Sequence, residues 1–253
     1  MRRQVAGLAV FVFATVIGVG LASASCSNAS FQGVYGYSHG RQSGLPYLTG
    51  LIVGQFTADG KGHLTRGSWT FTQNGGSIST GTFTGTYSIA KGCTGTLILS
   101  NEDNSPNPSH FNIALDTSNS GFQMVQTDSG FTHSGFGLAQ GTASCGLTGK
   151  EQTLAARILG LDASGDPEEM AGQIKLDGKG DVSGTITITN YGTISREAVT
   201  GTYTQKSSCL GTMQITPKGF SAMNFTTIGV NGNKELLLIE TDSGTFRDGT
   251  AQQ

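Results

Sequence analysis

The sequence predicts an all-β chain in which two eight-stranded antiparallel up-and-down barrels follow an N-terminal signal peptide. Three observations point there: apolar residues alternate with threonine at a period of two, turn signals recur at short intervals, and one series of motifs occurs twice in the same order. Glycine is abundant, 39 of 253 residues, yet the hydrophobic fraction is 36%, so neither a collagen repeat nor a charged disordered chain fits. With 15 basic against 17 acidic residues the formal charge is −2, which leaves no excess of Lys and Arg to neutralise phosphates and argues against nucleic acid as a partner.

Taken from the start, Met1-Arg2-Arg3 is a basic opening, Val5 to Leu21 is apolar and uncharged, and Ala22-Ser23-Ala24 places small residues where signal peptidase cuts. The expected signal peptide is therefore 1–24, with Ser25 as the first mature residue. A retained anchor is the weaker reading, because the apolar run is at the short limit of about 17 residues for a span. Acylation of Cys26 is weaker too, since Ser23-Ala24-Ser25 lacks the Leu or Val usual three positions before a lipidated cysteine. No later apolar run is long enough for a spanning helix, so the expected location is secreted, periplasmic or cell-envelope, with no membrane span after cleavage. Disulfides persist in such compartments, and the even set Cys26, Cys93, Cys145 and Cys209 invites pairing, with three connectivities open to arithmetic alone.

The duplication is explicit. GQFTADGKG at 54–62 returns as GQIKLDGKG at 172–180, TGTYSIAKGCTGTLIL at 84–99 as TGTYTQKSSCLGTMQI at 200–215, and QTDSG at 126–130 as ETDSG at 240–244. The offset between copies shifts slightly along the chain, and these shifts are expected only across turns or strand starts, where losing one residue does not invert a strand face. The domains are thus 25–144 and 145–253, and the duplication assigns the disulfides within copies, Cys26 to Cys93 and Cys145 to Cys209.

Within Ile78 to Ile89 one face reads Phe83, Gly85, Tyr87, Ile89 and the other Thr80, Thr82, Thr84, Thr86; copy two repeats this with Val199, Gly201, Tyr203 against Thr200, Thr202, Thr204. Ile52, Gly54, Phe56 and their counterparts Met170, Gly172, Ile174 take one face and run into Asp-Gly turns at Asp59-Gly60 and Asp177-Gly178. Turn signals leave eight strands in copy one, enough to close a barrel and remove its edges, although alternation alone fits a two-sheet sandwich as well. Inner-face glycines at 54, 81, 85 and 95 let such strands coil tightly. Glu151 to Leu159 has helical propensity but stands where copy one has the strand Phe31 to Tyr37, and is assigned as strand.

The run of FTADGKG, TGTYSI, GTLIL, QTDSG or LIETDSG, and the closing Gly-Thr-Ala-Gln at 249–252 resembles a recurrent secreted bacterial domain, often found in tandem, that is similar to calycin-like barrels, the group holding lipocalins and avidins. The resemblance covers nearly all of 31–253. It implies a barrel and a capacity for binding, and brings no catalytic residues.

Chemistry is sparse. Of the histidines at 39, 63, 110 and 133, His39 and His133 would meet if the first and last strands adjoin, but no HxH, HExxH or carboxylate cluster completes a metal set, and scattered histidines are the preferred reading. No GxSxG elbow supports a hydrolase. Asp59 and Asp177 in DGKG lack the ligands of a calcium loop, and Asp-Gly geometry accounts for them, as it does for Asp128 and Asp242 in TDSG. No cofactor is expected. Aromatic residues are concentrated in copy one, where Trp69 and Phe71 stand opposite Ile186 and Ile188 of copy two. Trp69, Phe71, Phe83, Tyr87 and Phe56 are therefore the candidate ligand-binding wall, to be weighed against simple filling of the lumen. The expected function is a secreted, non-catalytic duplicated barrel that binds a small apolar ligand or an extracellular partner. A structural or adhesive envelope module with filled barrels is the alternative, and a barrel isomerase-like enzyme the third.

Overall fold

The computed structural model describes residues 25–40, 50–73, 77–131, 133–141, 145, 147 and 149–253, so the expected signal peptide lies outside the described residues. In the first copy the strands are β1 Gln32–Gly40, β2 Leu51–Asp59, β3 His63–Gln73, β4 Ser77–Ile89, β5 Thr94–Ser100, β6 Ser109–Leu115, β7 Gly121–Gln126 and β8 Ser134–Ala139. In the second they are β9 Gln152–Leu161, β10 Pro167–Leu176, β11 Asp181–Asn190, β12 Thr193–Gln205, β13 Leu210–Pro217, β14 Met223–Val230, β15 Glu235–Glu240 and β16 Phe246–Gln252. Each set pairs in sequence order, all antiparallel, and closes on itself, β1 on β8 and β9 on β16. The segment of helical propensity is strand β9, paired on both sides, because barrel closure satisfies its whole backbone ladder where a surface helix would leave two open edges. On β4 and β12 the alternation is as read: Phe83, Tyr87, Val199 and Tyr203 are buried, and the threonines between them are exposed.

The shifts in offset have three structural sources, one of them inside a strand. Between the DGKG and TGTY motifs copy one is longer by two residues. One is a β-bulge in β3, where Leu64 to Gly67 opposes Gly85 to Phe83 and Arg66 takes φ 53°; the other is the longer connection from Gln73 to Ser77, against Asn190 to Thr193. The expectation that strands are free of such shifts is thus corrected: a bulge absorbs the extra residue and restores the phase beyond it. The third lies between β5 and β6. There Leu99 pairs with Ser109, whereas Ile215 pairs with Met223, so the copy-one connection is again two residues longer, and it carries a 3-10 turn at Glu102–Asn104.

The two lumens are filled differently. Phe31, Tyr35, Tyr37, Phe56, Phe83, Tyr87 and Phe122 meet ring to ring in the first, at centroid distances from 4.6 Å for Phe31–Tyr35 to 6.3 Å for Phe56–Phe83. Two inner-face glycines seat these rings: a Cβ on Gly54 would lie 2.5 Å from the Tyr37 ring, and one on Gly81 2.5 Å from the Trp69 ring. In the second lumen Ile158, Met170, Ile174, Ile186, Met213, Ile215 and Leu238 pack around Phe225 and leave a void of about 10 Å³ with almost wholly apolar walls. Disulfides join Cys26 to Cys93 and Cys145 to Cys209, 67 and 64 residues apart, as the duplication assigned them. Two such bonds indicate an oxidising compartment.

The barrels also pack on each other. Leu51 and Val53 of β2 and Phe136 and Leu138 of β8 join Ile228 and Val230 of β14, Leu237 and Ile239 of β15 and Phe246 of β16 in one apolar layer. The approach is close at Gly36, where a Cβ would stand 2.6 Å from Val230 and 2.8 Å from Ile228, and the Gly232 N–H donates across to the Gln140 carbonyl at 3.1 Å. β2 and β15 are consequently buried on both faces, which is why their inner ends read as continuous apolar runs, Leu51-Ile52-Val53 and Leu236-Leu237-Leu238-Ile239.

Beside this layer a cleft of about 380 Å³ lies between Ser38, Ser134, Arg157, Glu169 and Asp248. Burial pushes the Asp248 carboxyl up from 3.8 to about 6, against the opposing pull of its hydrogen bond and of Arg157. Over that window the folded chain holds a proton that the unfolded chain releases, so this group's contribution to stability falls as pH rises from 3.8 to about 6. Asp248→Asn is therefore expected to stabilise the protein at neutral pH by roughly 1–2 kcal/mol and to have little effect below about pH 4. Urea midpoints of both proteins across this range measure it; a gap that does not widen with pH contradicts the assignment.

Candidate functional site

All five candidate wall residues point into the first lumen. Phe56, Phe83, Tyr87 and Trp69 are buried in its core and Phe71 packs at the margin. The Trp69 Nε1–H donates to the Asn101 carbonyl at 3.2 Å, and the Tyr87 hydroxyl to the Phe31 carbonyl at 2.8 Å. Burial raises the Tyr87 pKa above its ordinary value. The wall is coherent, but its faces are taken up by other rings.

Open space lies above it, at the mouth of the first barrel. Here the 3-10 turn of the long β5–β6 connection swings Glu102 inward to 1% exposure. Its Oε1 accepts the Tyr37 hydroxyl at 2.5 Å and lies 3.1 Å from His39 Nε2; the imidazole stacks on Tyr37 at 5.8 Å and meets Phe111 edge-on at 5.0 Å. Tyr37 donates to this oxygen, and in the neutral Nε2–H tautomer His39 does too. In that tautomer the His39 Nδ1 is a buried acceptor, and neither it nor the Glu102 Oε2 has a hydrogen-bond partner. Burial first, and then Glu102, holds the Tyr37 pKa well above the usual value, so the phenol stays a donor. Over His39 opens a pocket of about 220 Å³ lined also by Asp103, Asn107, Gln126, Asp128, Phe131 and His133. Burial raises the Asp103 carboxyl, and Phe131 is 55% exposed on the rim.

The second barrel has a mouth at the corresponding end. Ladder pairs Phe111↔Gln126 and Phe225↔Glu240 occupy the same place in the two copies, and by the same register Arg247 stands where copy one has His133. The Arg247 Nη1 donates to both oxygens of Glu240 at 2.7 Å, and Nη2 lies 2.6 Å from Glu168 Oε2; all three residues are buried. Burial raises the Glu240 pKa, with Arg247 pulling it back. This triad floors a pocket of about 510 Å³ with Met170, Met223 and Phe220, the last 41% exposed. Glu168, Glu240 and Arg247 were missed from sequence, though each has a lumen-facing position at a strand end, in phase with Met170, Leu238 and Ala251 respectively.

The remaining motifs are structural. Asp59 Oδ1 accepts the N–H groups of Lys61, Gly62 and His63, and Asp177 Oδ1 those of Lys179, Gly180 and Asp181. The hydrogen bond from the His63 N–H leads in lowering the Asp59 carboxyl. Asp128 and Asp242 of TDSG act differently from the expected turn geometry: each accepts the N–H of a residue 18 positions earlier on the neighbouring strand, His110 of β6 and Asn224 of β14. His39 and His133 do meet, at 5.8 Å, because β1 pairs with β8. Among the described residues no group of three or more His, Cys, Asp or Glu is placed to hold a metal, and no helix is long and apolar enough to cross a membrane. Compared with known protein families and with characterised proteins, the chain matches none.

Proposed function

We propose that the protein is a secreted, non-catalytic tandem barrel of the calycin-like kind that binds a small ligand at the mouth of its first barrel. The observation that carries this reading is Glu102. A connection lengthened only in copy one buries it against His39, which lines the pocket, and leaves one of its oxygens unsatisfied, an arrangement that costs stability. The ligand is held above the aromatic wall of Trp69, Phe71, Phe83, Tyr87 and Phe56, which supports the site from below, since ring contacts occupy the lumen itself. The filled lumens favour a second reading, a rigid structural or adhesive envelope module.

Mass spectrometry of protein purified natively from its own source separates the two. A stoichiometric small molecule, present with the wild type and lost with Phe131→Ala, is the expected result. Wild-type protein that carries none, and retains its envelope association with Phe131→Ala, establishes the structural module instead.

A further inference from the structure

Resting on that reading of the first mouth, we infer that its ligand is a small organic ammonium ion with an apolar body. The argument comes from comparing the two mouths within one molecule. In the second barrel the buried carboxylates Glu168 and Glu240 are bridged by the guanidinium of Arg247, an internal cation. In the first barrel the equivalent position is His133, and among the described residues no lysine or arginine lines the pocket.

What the first mouth presents is a set of acceptors. His39 lines the pocket at 4% exposure with its Nδ1 unpartnered, and Glu102, bonded to the same ring, has an unpartnered Oε2. The carboxylates of Asp103 and Asp128 face the same space, the first accepting from Ser105 and the second from His110 and Gln126. An ammonium supplies several N–H donors and the compensating charge at once. The Phe131 ring, set edge-on to His133 at 5.9 Å, offers an exposed face for cation–π and apolar contact. A neutral alcohol brings one donor and no charge, and an anion would face the carboxylates of Asp103 and Asp128 with no lysine or arginine among the described lining residues.

Benzylammonium, benzyl alcohol and benzoate share one ring and differ in the group attached, so they are the probes, titrated into the full-length mature protein by calorimetry. Trp69 fluorescence follows in parallel, because its indole is hydrogen-bonded to Asn101, next to Glu102. Benzylammonium is expected to bind saturably, about tenfold or more tighter than the other two. Affinity should drop several-fold in Phe131→Ala and about tenfold in Glu102→Gln. Phe131→Ala carries the test if Glu102→Gln fails to fold, and Phe220→Ala at the other mouth should bind as the wild type does. Benzyl alcohol or benzoate binding as tightly, with the same loss in Phe131→Ala, overturns the ammonium class but leaves the mouth as the site. Benzylammonium binding that ignores Phe131→Ala and falls with Phe220→Ala overturns the mouth assignment as well. Failure of all three probes to bind overturns the ammonium class, and the natively co-purified molecule then judges the mouth independently.

Discussion

Arg247→Ala is expected to cost the protein about 3–5 kcal/mol, the loss typical of breaking a buried ion pair from one side. The guanidinium holds Glu240 by two 2.7 Å hydrogen bonds and Glu168 at 2.6 Å, so its removal leaves two carboxylates facing each other in a buried site. The cost lies in the abandoned charges rather than in the lost bonds. Adding Glu168→Gln and Glu240→Gln to Arg247→Met should therefore recover most of it, because an uncharged set of similar volume needs no compensation. Urea denaturation gives the total, and hydrogen exchange in β15 and β16 localises it. A loss below about 1 kcal/mol for Arg247→Ala would mean that water at the mouth already solvates the triad.

Phe31→Ala should be comparably severe, about 3–5 kcal/mol. The ring is fully buried and touches Tyr35, Phe56, Tyr87 and Phe122 at 4.6–6.0 Å, and the Cys26–Cys93 bond just before it fixes where the chain enters the lumen. Rigid β walls cannot collapse into the space an alanine leaves, so the transfer and cavity contributions add. Phe31→Leu should cost less than half as much. Trp69, the single tryptophan, reports the unfolding of this barrel, and a small effect of Phe31→Ala would show that the lumen is loosely packed.

The barrels were legible because their grammar is local. Thr-x-Thr alternation on β4 and β12, the Asp-Gly turns and the repeated motifs each act within a few residues, and together they dictate strand phase and copy number. Even Glu151 to Leu159 yielded to the repeat. The polar mouths were not legible in the same way, since Glu168, Glu240 and Arg247 come together only when β10, β15 and β16 reach the same rim of a closed sheet. Their one advance signal was phase: a charged residue on the inward face. For Glu102 no phase existed, because it lies in a connection; its only mark was that copy one is two residues longer there. The aromatic excess of copy one was visible, but residue type alone does not distinguish a ring that waits for a ligand from a ring that meets another ring.

The layer between the barrels sets β1, β2 and β8 of one copy against β14, β15 and β16 of the other, with Leu161 of β9 at its edge. β8 and β16 are equivalent strands, but β2 meets β14 and β15, whose counterparts in copy one are β6 and β7. Such a head-to-tail contact is not closed by a two-fold axis: two identical copies joined this way would each offer a free end to the next, and would grow into a ring or a fibre. Divergence blunts both free ends here. In copy one the register counterparts of Ile228, Val230, Leu237 and Ile239 are Ala114, Asp116, Gln123 and Val125, and in copy two those of Leu51 and Val53 are Glu169 and Ala171. The contact is thereby written once per chain, each copy carrying one of the two apolar faces in full and the other only in part, as at Val125, which is 50% exposed.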